Sequence, residues 1–175
     1  MFCIISKPTR SKLSLFKNRI SYIKNKNFGI VLCLITDDSA SYASSISNNY
    51  EKYLSDLNTQ GILNLADMIC VGLEVNEYWS VSVVESIINK TKEYFNGPVG
   101  VHTGSIDQAK NYGSLGDIYF AQIKPTEDTS TIKSSVKKAK DESGKPVNFF
   151  EFQRYPSRTG CEAALNADAV GVGNW

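Results

Sequence analysis

Apolar residues recur along this chain in two spacings. In some stretches they run on for the length of a strand: residues 2–6 (FCIIS), 28–36 (FGIVLCLIT), 68–71 (MICV), 99–102 (VGVH), 117–122 (DIYFAQ), 147–153 (VNFFEFQ) and 169–175 (AVGVGNW). Between them apolar residues return every three or four positions, the period of a helix with one buried face. Leu13, Phe16, Ile20 and Ile23 form one such series; Ala43, Ile46, Tyr50, Tyr53 and Leu57 form a second, predicting helix over 40–58. Val83, Val84, Ile87, Ile88 and Phe95 carry a third, and Ile132, Val136 and Ala139 a helix over 131–142. Ile106, Ala109 and Tyr112 predict a short helix, and Cys161, Ala164 and Leu165 another. Asp38 or Ser39 is a natural N-cap, while Ser82/Glu85 and Thr159/Glu162 have capping-box spacing. Gly61 and Asn96-Gly97-Pro98 break the helical pattern.

Every gap between these strands holds a helical pattern, and strands apolar on both faces belong to a parallel sheet. Two architectures fit: an open doubly wound sheet or a (β/α)8 barrel. The first should carry a glycine-rich phosphate loop, and neither GxGxxG nor GxxxxGK[ST] is present. The barrel is preferred because polar and aromatic residues gather where strands end: Asp37-Asp38, Asn76-Glu77, His102, Gln122, Glu151 and Trp175. In a barrel those ends converge on one mouth. The expected fold is an α/β, parallel (β/α) TIM-like barrel, incomplete at its N-terminal side, formed by residues 1–175 as one domain.

With 175 residues, 42% of them hydrophobic, the chain can bury one core. A formal net charge of +1 argues against nucleic acid, which would call for a basic excess. The lysines over 7–26 fall beside apolar residues at helical spacing and read as a solvated face. No stretch approaches the ~20 apolar residues of a membrane span, and the first apolar run is too short for a secretory signal. The four cysteines lack metal-ligand spacing and read as buried reduced thiols; no cofactor or metal is expected.

The stretch over 68–80 (MICVGLEVNEYWS) starts as a buried strand and ends in groups that are expensive to bury: Glu74, Asn76, Glu77, Tyr78 and Trp79. Glu151 lies inside the aromatic run Phe149, Phe150, Phe152. This pattern resembles the large clan of (β/α)8 glycoside hydrolases that place Asn-Glu at the end of strand 4 and a second Glu at the end of strand 7. Counting back from residues 169–175 as strand 8 puts 147–153 on strand 7 and 68–77 on strand 4. The resemblance covers roughly residues 28–175. It implies an O-glycosidic bond cleaved with Glu77 as acid/base and Glu151 as nucleophile, retention being favoured. It also implies Asn76 on a sugar hydroxyl and Trp175 as a platform under the sugar.

Glu74 is the alternative acid, because a bulge could exchange it with Glu77. Tyr119 and Gln122 suit a carbohydrate cleft. Asp37 and Asp38 either cap the next helix or bind sugar hydroxyls, and His102, the single histidine, is either a structural hydrogen-bonder or a substrate contact. The structural readings of the two acids are a helix-start carboxylate for Glu77 and an ion pair with Arg154 or Arg158 for Glu151.

Residues 2–6 would be strand 2, so strand 1 and the last helix are missing. An open barrel exposes strand edges, which points to a piece of a longer enzyme, self-association or a neighbouring chain at the edge, or closure with fewer strands. Two readings compete with a glycosidase. One is a non-catalytic carbohydrate-binding or structural protein derived from that barrel, part of a larger assembly such as a virion. The other, weaker, is a different barrel enzyme, an aldolase or isomerase, for which no lysine but Lys124 stands near a strand end to form a Schiff base.

Overall fold

The computed structural model describes residues 2–6, 13–34, 46–123, 128–152 and 158–172. Within them the strands are β1 (Phe2–Ser6), β2 (Gly29–Cys33), β3 (Met68–Cys70), β4 (Val99–His102), β5 (Ile118–Ile123), β6 (Val147–Phe152) and β7 (Gly171–Val172). The helices are α1 (Leu13–Lys24), α2 (Ile46–Thr59), α3 (Val81–Lys92), α4 (Thr129–Ser143) and α5 (Arg158–Asn166). The sheet order is β1-β2-β3-β4-β5-β6-β7, and every neighbouring pair is parallel.

That monotonic order decides the architecture. A doubly wound sheet reverses direction at a switch point. Here every crossover steps the same way, and with right-handed crossovers all helices lie on one face. The result is the wall of a (β/α) barrel. Among the described residues β7 does not pair with β1, so the barrel is incomplete, as the sequence pattern predicted.

Register sorts the buried residues into two faces. Ile30, Leu32, Ile69, Val71, Val99 and Val101 point outward and pack with Leu13 and Ile20 of α1, Leu54 and Leu57 of α2, and Val84, Ile87 and Ile88 of α3. Tyr119, Ala121, Val147 and Phe149 continue that face against Ile132, Val136 and Ala139 of α4 and Ala163 and Ala164 of α5. Val31, Cys33, Cys70, Ile118 and Phe120 fill the inner face. Phe120 lies over Gly100, where an added Cβ would come within 2.6 Å of its ring. A small residue on β4 therefore makes room for a large one on β5, as interiors at crystal-like packing density require.

The N-terminal rim of the sheet repeats one device. The Asp67 amide donates to the Ile30 carbonyl at 2.9 Å, and the Ile30 amide donates to Asp67 Oδ2 at 2.7 Å. Asp117 does the same with Val99, at 2.8 and 3.0 Å. Each carboxylate also takes a lysine from the last turn of the helix leading into the clasped strand, Lys24 at 2.5 Å and Lys92 at 2.7 Å. Burial raises both carboxyl pKa values, but the lysine and backbone hydrogen bonds outweigh it and hold them below the ordinary carboxylate range.

Several local expectations are corrected. Ser80, not Ser82, is the N-cap of α3, so Ser82/Glu85 is not its capping box; the Ser80 and Ser82 hydroxyls instead share a hydrogen bond. α5 already includes Thr159, and Glu162 pairs with Arg158 one turn earlier. The short helix near 106–112 is a 3-10 turn (Ile106–Gln108) running into a π turn (Ala109–Gly113). Among the described residues no helix is long and apolar enough to cross a membrane.

Candidate functional site

The mouth of the sheet is where β3, β4, β5 and β6 end. β3 stops at Cys70, earlier than the sequence predicts, and the chain then closes on itself. A Cβ on Gly72 would stand 3.0 Å from Trp79 Cζ3 and 3.0 Å from Val75 Cγ1, so the loop folds tightly over its own apolar residues. Val75–Glu77 form a 3-10 turn rather than a strand end, which corrects the placement of Asn76 and Glu77. Val75 is buried, Asn76 half-buried and Glu77 exposed.

Glu74 opens that turn in the left-handed conformation, at φ 46° and ψ 40°. Asn27 and Asp168, the other described non-glycine residues with positive φ, follow the ends of α1 and α5, where this geometry is ordinary. Glu74 follows no helix. Its amide donates to His102 Nδ1 at 3.0 Å. Its side chain lies along Gly104, where an added Cβ would meet Oε1 at 3.0 Å. Asn76 joins the same two loops: its Oδ1 accepts from the Gly104 amide at 3.0 Å, and its Nδ2 donates to Glu77 Oε1 at 3.0 Å.

His102 ends β4 and is fully buried. Burial lowers its pKa to about 3, so the ring is neutral near pH 7. Because Nδ1 accepts from Glu74, the neutral ring carries its proton on Nε2. Of the two roles open to His102, it thus takes that of a structural hydrogen-bonder, sitting beneath the rim and fixing the backbone of Glu74. The placement of Tyr119 in the cleft is corrected. It lies on the outer face, fully buried, with its hydroxyl 2.5 Å from Thr103 Oγ1 and donating to the Ser105 carbonyl at 3.2 Å. Burial raises its pKa to about 12. Its role is to pin the β4–β5 connection from behind.

The inner face supplies the remaining groups. Gln122, half-buried, stands near the end of β5. The β5–β6 ladder shifts register between Ala121 and Gln122: Phe149 pairs with Ala121, but Glu151 pairs with Gln122. One residue, Phe150, is passed over. This bulge brings Glu151 into register with Gln122. The Glu151 side chain, Asp37, Asp38, Lys124, Arg154 and Trp175 lie outside the described residues. Cys33 and Cys70, adjacent in register, are buried free thiols; burial raises the Cys70 pKa well above that of a free thiol, which makes it unreactive. Among the described residues no group of His, Cys, Asp and Glu could hold a metal ion.

Fold and rim together define a (β/α)-barrel wall whose C-terminal ends collect polar groups, the end at which barrel enzymes carry their chemistry. Solved structures sharing this fold include β-glycosidases. The β-glycosidase BGL167 matches with a TM-score of 0.70 at 9% identity, covering 98% of this chain and 71% of that one. The β-glycosidase from the hyperthermophile Thermosphaera aggregans matches with a TM-score of 0.67 at 9% identity, covering 95% of this chain and 63% of that one. A nitroalkane oxidase from Streptomyces ansochromogenes matches with a TM-score of 0.57 at 11% identity, over 98% of this chain and 56% of that one. At such identities the likeness is one of fold, and the fold hosts unrelated chemistries. No family model matches the chain, and no curated protein matches it.

Proposed function

We propose that this chain is a glycoside hydrolase-like protein that cleaves O-glycosidic bonds of an oligo- or polysaccharide with two glutamates and no cofactor. The observation that carries the reading is the bulge on β6. It sets Glu151 opposite Gln122, on a rim that also presents Glu74, Asn76 and Glu77 from the β3–α3 connection. In this reading Glu151 attacks the anomeric carbon while a carboxylic acid from the 74–77 segment protonates the leaving oxygen. Water then releases the sugar with the same group acting as base. The resemblance points to Glu77 as that acid. Gln122 reads a sugar hydroxyl, and Asp37, Asp38 and Trp175 extend the cleft.

A second reading is favoured by one observation. The Asn76 amide is engaged by Gly104 and Glu77, and Glu77 is exposed, which favours a non-catalytic carbohydrate-binding or structural protein derived from such a barrel. The open sheet edge is covered, in either reading, by self-association or by a neighbouring chain. The test is hydrolysis of a panel of aryl-glycosides and polysaccharides by the wild type and Glu151→Gln. Turnover that falls at least ~10³-fold in Glu151→Gln is expected, because the covalent path is closed. Folded wild type that turns over none of them removes the enzymatic reading.

A further inference from the structure

We infer that Glu74, rather than Glu77, is the carboxyl group that works against Glu151. The inference rests on the two-glutamate reading and assigns its second member. A non-glycine residue held left-handed away from a helix end is strained, by roughly 1–3 kcal/mol, and persists only where its surroundings enforce it. Three neighbours do so here. His102 accepts the Glu74 amide proton on a buried, neutral ring that cannot turn away. The turn from Val75 to Glu77 starts from the Glu74 carbonyl, which accepts from the Glu77 amide at 2.9 Å. Gly104, by lacking a side chain, leaves the space in which the Glu74 carboxyl lies.

The consequence is one of placement. Glu74 belongs to the connection after β3, yet its carboxyl is carried across to the end of β4. Only β5 then separates it from β6 and Glu151. Two strand spacings are about 10 Å. In this assignment the two carboxyls meet across β5 at the ~5–5.5 Å over which a nucleophile and its acid/base operate. Glu77, three residues further toward α3, is exposed, and its Oε1 receives the Asn76 amide. That arrangement uses Glu77 to orient Asn76 and thereby the Gly104 amide. In this assignment Glu74 is the acid/base, while His102, Gly104 and Asn76 are positioning residues.

Like charges at this range push one carboxyl's pKa upward, so removing one member lowers the pKa of the other. The experiment is a ¹³C-detected NMR titration of the glutamate carboxyls in the wild type, Glu151→Gln and Glu74→Gln. In Glu151→Gln the Glu74 pKa should fall by about one unit or more while Glu77 stays put. In Glu74→Gln the Glu151 pKa should fall likewise. A shift at Glu77 with Glu74 unmoved overturns the assignment, as does a folded variant in which neither carboxyl moves. If one variant fails to fold, the reciprocal one reads the same coupling. The titration needs no turnover: coupled Glu74 and Glu151 in a protein inactive on every glycoside would discard hydrolysis and keep the pair.

Discussion

The two rims of the sheet use carboxylates in opposite ways. At the N-terminal rim, Asp67 and Asp117, neither of them left-handed, complete the strand ladder and pair with lysines from helix ends. At the C-terminal rim, Glu74 sits in a left-handed backbone that a buried histidine has to enforce, and its carboxyl is directed into the gap above a glycine. The first arrangement satisfies every group it uses and stabilises the fold. The second accepts strain to hold an acid in one place, a pattern expected where chemistry rather than stability sets the geometry.

The largest expected effect follows from that contrast. Given glycoside turnover, Glu74→Gln should lower kcat by ~10²–10³-fold or more, and Glu77→Gln by less than about tenfold, because only the former removes the proton donor. Steady-state kinetics of the two variants check this. A larger loss in Glu77→Gln would return the acid to the position the resemblance implies.

Next in size is an acid response at His102. An imidazole of ordinary pKa 6.5 in the unfolded chain and about 3 in the fold binds its proton only when unfolded over the interval between. Stability is therefore full above about pH 6.5 and declines as the pH falls toward 3, by up to roughly 4 kcal/mol from this group. Urea midpoints at pH 7 and 4.5 should differ more for the wild type than for His102→Gln, whose amide oxygen can still accept from Glu74. Equal pH dependence would mean that the ring is not buried neutral.

Smaller effects belong to the other rim. Asp67→Ala and Asp117→Ala each remove a backbone acceptor and a half-exposed ion pair, the latter worth little by itself. Each should lower stability by about 1–2 kcal/mol and leave kcat within twofold, measured by urea unfolding and kinetics on the same samples. A loss of turnover without a loss of stability would blur the distinction between the rims.

Much of the fold was legible in the alternation of spacings. β1 and β4 have the predicted bounds, and the parallel order follows from helices in every gap. The mouth was less so. The apolar run after Cys70 looks like a continuing strand, but Gly72 lets Trp79 and Val75 close over it and the ladder ends. Tyr119 is flanked by Ile118 and Phe120, and a strand buried on both faces has no alternation to say which residue faces the cleft; only the register does. The tie between Glu74 and His102 spans 28 residues and leaves no local signal. The Asp67 and Asp117 clasps did leave one: an aspartate immediately ahead of an apolar run, twice, with a lysine closing the helix that leads into the neighbouring strand.

The urea midpoint of Glu74→Gly tests the contrast between the rims most directly. Glycine adopts φ 46° without steric penalty, so the variant relieves the strain and removes the carboxyl together. The midpoint is expected to rise, equivalent to about 0.5–1 kcal/mol. A lowered midpoint would make Glu74 a structural residue like Asp67, and the C-terminal rim would lose its claim to be shaped for chemistry.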